Sequence, residues 1–150
     1  MDEVDGKELT VFDRLGDRPP MAEQIDWTLI RLDKEAETIS LSFCSPEIFT
    51  NPAGNVHGGF VATMLDECMG SAIVGLSDAQ YLPVTVSLST DFIRPVPIGK
   101  VFGEGRVTSK SDKSAFLEAK ITDSEGTILA RATGFYRIYP FQAMVKRNHD

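Results

Sequence analysis

Residues Asn51–Gly70 read NPAGNVHGGFVATMLDECMG, and the fold turns on them. Asn51-Pro52 and Gly54 punctuate a turn. His57-Gly58-Gly59 then runs into a segment with no helix breaker before Gly70, and the spacing predicts a helix from about His57 to Val74. At 100° per residue, Phe60, Met64 and Cys68 share a face with Ser71. Val61, Leu65 and Ala72 lie beside them, and Ala62, Met69 and Ile73 cover much of the rest. A helix apolar nearly all round is expected to be buried nearly all round. Asp66 falls between Ala62, Ile73 and Gly70, with no Lys or Arg one turn away. A carboxylate there is costly, because desolvation disfavours its charged form. Glu67 lies on the more polar stripe with Thr63 and Ser71, and reads as solvated or structural.

The helix start carries free backbone N–H groups and the positive end of the dipole. Gly58 and Asp66 are eight residues apart, about 12 Å along a helix. An N–H donor and a carboxylate acting on one reacting group must each approach it to about 3 Å. One chain cannot easily bring both to the same atom. The spacing therefore calls for a second copy of the chain and a site shared across a two-fold interface.

Outward from this helix the period changes. Upstream, Trp27–Leu32 and Thr38–Cys44 read as strands around a turn at Asp33–Ala36, with Ile39, Leu41 and Phe43 alternating in the second. Ser45–Val56 is a loop. Downstream, Gly75–Pro83 reads as a connector, and Val84, Val86 and Leu88 alternate with Thr85, Ser87 and Ser89 in a strand ending near Arg94-Pro95. Pro95, Pro97 and Gly99 mark a turn. Strands are expected at 100–109, 115–122 and 127–139, joined by turns at 111–113 and 123–126. Residues 1–26 form an N-terminal extension: 1–6 are polar and loose, Leu9, Phe12 and Leu15 suit a short helix ended by Gly16, and Asp17–Pro20 is a loop. Residues 140–150 are a tail. One long helix and five to six antiparallel strands make a single α+β domain, with the sheet wrapped on the helix.

The chain has 150 residues, 42% hydrophobic and 25% charged, which suits one domain with a real core. A formal net charge of −7 argues against nucleic-acid binding, which needs a basic footprint. Two cysteines, Cys44 and Cys68, make no disulfide framework and read as small core residues. The acidic start MDEVDGKE is no secretion signal, and no run approaches about 20 apolar residues, so no membrane span and a cytoplasmic location are expected. His57 and His149 lie far apart, and no metal cluster is expected. No G-x-S-x-G elbow and no Gly-rich phosphate loop occurs.

The string Asn51-Pro52-x-Gly54-x-Val56-His57-Gly58-Gly59, with Asp66 on the following helix, resembles the PaaI-type branch of the hotdog-fold acyl-CoA thioesterases. The downstream stretches VTVSLSTDFIRPVPIGK and AFLEAKITDSEGTILARATGFYRI fit the same pattern, so the resemblance covers roughly residues 27–138. It implies a hotdog fold and hydrolysis of an acyl-CoA thioester, with coenzyme A as part of the substrate and no separate cofactor. It implies that Gly58 donates its N–H to the thioester carbonyl, that Asp66 of the partner subunit is nucleophile or general base, and that Asn51 and His57 shape the site. Thr85 stands where related enzymes keep a hydroxyl that holds the attacking water.

A thioester is already electrophilic, so oxyanion stabilisation and water activation are the main demands on the protein. Gly59, Phe60, Met64, Met69 and the 75–83 connector are expected to line an apolar or aromatic acyl pocket. Arg94, Lys110 and Lys113 are candidates for the coenzyme A phosphates. The expected partner is a second copy of the chain, in a homodimer and a dimer of dimers. A non-catalytic acyl-binding or assembly module, and a hotdog enoyl-CoA hydratase or dehydratase, are the competing readings.

Overall fold

The computed structural model describes Asp2–Glu3 and residues 10–142. The order is β1 (Asp2–Glu3), α1 (Pro20–Gln24), β2 (Thr28–Asp33), β3 (Thr38–Ser45), α2 (Gly58–Leu76), β4 (Tyr81–Phe92), β5 (Gly99–Lys110), β6 (Ser114–Thr122) and β7 (Ile128–Pro140). Six full strands and the two-residue β1 form one antiparallel sheet in the order β1-β2-β3-β5-β6-β7-β4. This is the α+β, sheet-on-helix architecture that the alternation of periods predicts.

The sheet curls around α2, which touches every strand from β2 to β7. By length and composition α2 could cross a bilayer. Here it is the core: Met64, Leu65, Cys68, Met69 and Ala72 are fully buried against Ile39, Leu41 and Phe43 of β3, with Leu117 and Ile121 of β6. The helix seats at backbone distance on Gly105 of β5, where a Cβ would lie 2.6 Å from the Cys68 carbonyl carbon; a Cβ on Gly103 would crowd the Cys68 side chain and the Phe43 ring, at 2.9 Å from the latter. Burial, then the charges of Glu67 and Glu104, hold the Cys68 thiol well above its usual range, so it packs as a small apolar residue.

Four expectations change. The short helix over Leu9–Leu15 is one 3-10 turn at Asp13–Leu15, ended by Gly16 at φ 98°; Leu9 itself lies outside the described residues. The loop at Asp17–Pro20 instead starts α1, because Pro20 occupies the first helical position, where its missing N–H costs nothing. The 75–83 connector ends early: Asp78 and Ala79 turn the chain in the left-handed region, and Tyr81–Pro83 already pair with Ile138–Pro140. Pro83 is tolerated because β4 is an edge strand. Asp2–Glu3, expected to be loose, instead pair with Arg31–Leu32; the remainder of residues 1–6, and residues 143–150 of the tail, lie outside the described residues.

The outer sheet face carries cross-strand ion pairs, Arg106–Glu118, Lys120–Glu104 and Arg131–Asp91, and the Phe116–Phe135 ring pair. Such exposed pairs contribute about 0–1 kcal/mol each.

Candidate functional site

Asp66 stands in the third turn of α2 and faces β4 and β7. Register places Thr85 of β4 directly opposite Tyr136 of β7, just before a bulge between Thr85 and Ser87. Both hydroxyls converge on one carboxylate oxygen: Thr85 Oγ1 donates to Asp66 Oδ1 at 2.9 Å, and Tyr136 Oη donates to the same atom at 2.6 Å. The Tyr136 side chain is buried, and its hydroxyl needs this partner. Burial and the hydrogen bond to Asp66 push its phenol far above the ordinary range, so it remains a donor. Asp66 Oδ2 makes no hydrogen bond to any described residue. Asp66 is half-buried rather than buried, because its side of the helix opens onto a cavity.

That cavity, of about 590 Å³, lies between α2, the ends of β2 and β4, and the segment 10–19 laid over them. Asp66, Glu67 and Gly70 line its helix side, with Trp27 and Phe12 opposite. Its volume falls in the range of small-molecule sites. Phe12 and Trp27 meet edge to face at 4.9 Å, and Arg14 pairs with Asp78 at 2.6 Å, fixing the covering segment to the far end of α2.

Glu67 differs from its sequence reading. The stripe it shares with Ser71 is a cavity wall rather than a solvent face: Ser71 is buried and accepts a hydrogen bond from Trp27 Nε1 at 3.2 Å. Glu67 is half-buried there, and desolvation, then the Asp66 charge, push its carboxyl from an ordinary 4.5 to about 7. The folded state thus holds this proton more tightly than the unfolded state. The group's stabilising contribution is full below about pH 4.5 and is lost as pH rises through about 7. At full strength the difference is about 3 kcal/mol, which partial solvent screening reduces to about 1–2 kcal/mol. Glu67→Gln is expected to raise the unfolding free energy by that amount at pH 8 and to change it little at pH 4, as measured by chemical denaturation at both pH values.

The start of α2 forms a second cluster. His57 is the N-cap, and its Nδ1 accepts the Gly59 N–H at 3.0 Å, which places the imidazole proton on Nε2. The Gly58 N–H makes no hydrogen bond to any described residue. A Cβ at Gly58 would meet only the Phe92 ring, at 3.5 Å. Asn51 folds the loop: its Oδ1 accepts from the Ala53 and Asn55 N–H groups at 3.0 and 3.2 Å. Phe60 stacks on Phe49 at 3.9 Å.

Some sequence candidates are not brought together. Met64 and Met69 are fully buried in the core, Met69 against Gly134 of β7, and neither lines the cavity. Arg94, whose Nη1 donates to the Ile128 carbonyl at 2.7 Å, sits at the Gly58 end of the sheet. Lys110, paired with Glu37 at 2.6 Å, and Lys113 sit at the opposite end, about 26 Å away along β6. Tyr136 was not singled out by sequence; the available signal was a tyrosine on the apolar alternation of the last strand. No group of three or more His, Cys, Asp or Glu that could hold a metal occurs among the described residues.

Comparison with known proteins agrees with this picture. A protein of Saccharolobus solfataricus with a provisional esterase name is 28% identical over 122 residues, 81% of this chain and 85% of that protein. An acyl-coenzyme A thioesterase of Bos taurus is 29% identical over 116 residues, 74% of this chain but 45% of that longer protein. The structure of a phenylacetic acid degradation-related protein of Ralstonia eutropha, described provisionally as a thioesterase, superposes with a TM-score of 0.79 over 85% of this chain and 99% of that one; at 22% identity the likeness shows the fold. Residues 53–130, more than half the chain and spanning both Gly58 and the Asp66–Thr85 pair, match the model of the thioesterase superfamily. On that match the chain belongs to the thioesterase superfamily, whose hotdog fold is the helix-in-sheet arrangement described above.

Proposed function

We propose that the chain is an acyl-CoA thioesterase of the PaaI-like kind, releasing free acid and coenzyme A at a site shared by two subunits. The observation that carries the reading is Asp66, oriented by Thr85 and Tyr136 through Oδ1, with Oδ2 bonded to no described residue and set beside a cavity. Oδ2 either attacks the thioester carbon or takes a proton from the water that does. In the first route Oδ2 displaces the coenzyme A thiolate and forms a mixed anhydride, which water then cleaves to free the acid and restore the carboxylate. In the second, water adds to the acyl carbon as Oδ2 takes its proton, and the C–S bond breaks to release coenzyme A as its thiolate. The lone pairs of Thr85 Oγ1 remain able to accept from that water. Coenzyme A arrives with the substrate, so the reaction needs no separate cofactor.

The oxyanion donor is the Gly58 N–H of the partner subunit. The open edge of β4, with Val84 and Val86 exposed, supports this arrangement. Antiparallel pairing of two β4 edges about a two-fold axis set between Leu88 and Ser89 brings the Phe92 end of one strand beside the Thr85 part of the other. Gly58 lies against Phe92 and Asp66 is bonded to Thr85, so the same operation draws donor and acid together. It also swaps the sheet ends, placing Arg94 of one subunit on the side of Lys110 and Lys113 of the partner subunit, where they suit the coenzyme A phosphates. The outer sheet faces are then free for a dimer of dimers, and the location remains cytoplasmic in this reading.

Free-thiol release from a panel of acyl-CoA esters tests the activity. Tight binding without release would identify a binding module, and water addition to an enoyl-CoA a hydratase. The shared site has its own test. Gly58 is the first residue of α2 and follows an extended His57 (φ −58°, ψ 138°), so Gly58→Pro removes the N–H where proline is tolerated. Gly58→Pro and Asp66→Asn homodimers are each expected to lose about 10²–10³ in turnover. Mixed subunits are expected to regain about a quarter of wild-type activity, since half the dimers are hybrids with one intact site. No regain in confirmed hybrids would exclude a shared site.

A further inference from the structure

The cavity beside Asp66 has a second carboxylate with no task in the hydrolysis above. Glu67 is adjacent to Asp66, is half-buried in the same wall, and forms no hydrogen bond or ion pair with any described residue. Two questions decide what it does: which part of the substrate enters the cavity, and what that part presents to Glu67.

Charge answers the first. The segment over the cavity contributes Asp13, Asp17 and Arg18, and α2 contributes Asp66 and Glu67; Trp27 lies just before β2, which contributes Thr28 and Leu29, while β4 contributes Pro83 and Thr85, and β7 Tyr136. Four carboxylates stand against one guanidinium. A nucleotide with its phosphates is repelled from such a lining. The acyl group is what the cavity admits, and coenzyme A leaves the other way.

The polar lining answers the second. A wholly apolar acyl group would leave Glu67 desolvated with nothing to bond, which is costly. An acyl group carrying a hydrogen-bond donor gives it a partner, while one ending in a carboxylate meets like charge. We infer that Glu67 is a specificity-determining residue that makes the cavity favour acyl groups bearing a hydroxyl or similar donor and reject acyl groups ending in a carboxylate. This rests on the hydrolase reading for the substrate class, but not on the role given to Asp66. It replaces the apolar pocket expected from sequence with a mixed one, apolar at Phe12, Trp27 and Val74 and polar at Glu67.

The test compares kcat/KM for hexanoyl-CoA and its ω-hydroxy and ω-carboxylate counterparts in wild type, Glu67→Gln and Glu67→Leu. In wild type the ω-hydroxy ester is expected to exceed hexanoyl-CoA about fivefold and the ω-carboxylate ester by at least about tenfold. Glu67→Gln keeps the hydroxyl preference and weakens the rejection of the carboxylate to the part that Asp13, Asp17 and Asp66 impose. Glu67→Leu loses the hydroxyl preference. Between pH 8 and pH 6 the wild-type rejection of the carboxylate relaxes as Glu67 takes up its proton; in Glu67→Gln it does not change, so the movement belongs to this residue rather than to Asp13 or Asp17. Equal selectivity in all three proteins would overturn the inference. Should no ester release thiol, the hydrolase reading fails separately. Affinities of the same three esters, measured by calorimetry, then decide: the same ranking in wild type, with the carboxylate rejection weakened in Glu67→Gln and the hydroxyl preference lost in Glu67→Leu, supports the role of Glu67, and equal affinities overturn it.

Discussion

Asp66→Asn is expected to fold like the wild type and to lose about a thousandfold in thioester turnover, the middle of the range for removing a positioned acid–base group. Asparagine keeps an oxygen where Oδ1 accepts from Thr85 and Tyr136, so the helix, β4 and β7 stay tied together. What changes is the second oxygen, which becomes an amide that neither attacks nor takes a proton. Tyr136→Phe provides the graded comparison. It removes one of the two donors that orient the carboxylate, leaves Thr85 in place, and is expected to cost about tenfold. Thiol release measured beside far-UV circular dichroism and a denaturation curve checks both variants. Near-wild-type turnover in Asp66→Asn, on every ester that the parent hydrolyses, would remove Asp66 from the mechanism.

Gly105→Ala is expected to lower the unfolding free energy by about 3 kcal/mol or more, at the upper end for overpacked cores. The added methyl points at the Cys68 carbonyl, a group of the helix backbone that cannot swing aside as a side chain could. α2 must lift or slide along the sheet. A shift of about 1 Å is enough to disturb a positioned catalytic group by about a hundredfold, so activity should fall even at temperatures where the variant remains folded. Gly126→Ala is the control. Gly126 has φ 82° in the β6–β7 turn with open space around its Cβ position, and strain alone should cost about 1 kcal/mol. Guanidinium midpoints with unchanged slopes separate the two; a Gly105→Ala midpoint equal to wild type would mean that α2 does not rest on β5 as described.

The helix was legible because its apolar faces and its lack of breakers are local properties. The strands were legible because period-2 alternation is local too. The early start of β4 was hidden because a proline reads as a strand breaker unless the strand lies at an edge, and only the sheet order supplies that. In the site, Asp66 stood out by being the wrong residue for its surroundings. Tyr136 did not, since its partner is seventy positions away in the chain and its alternation looks like any core tyrosine. Glu67 was misread for a related reason. A polar stripe with Thr63 and Ser71 looks like a face toward water until the segment 10–19 is laid across part of it. Helical periodicity tells how a face differs from its neighbours, not what covers it.

The sheet order has a consequence in time. Among the described residues β4 has a single partner, β7, with Tyr81 opposite Pro140 and Phe92 opposite Ala130, and all of β5 and β6 lies between them in the chain. During synthesis, at about 5–20 residues per second, β4 is made well before anything exists for it to pair with. Through that interval it is a ribbon of Val, Thr and Ser with both edges open, the state in which strands associate with the wrong neighbour. Closure over this sequence distance is also the slow kind of contact to form. The carboxylate on α2 therefore acquires its two hydroxyls last and together. A nascent chain that stalls before β7 has a finished helix, an unfinished site and its most adhesive strand exposed.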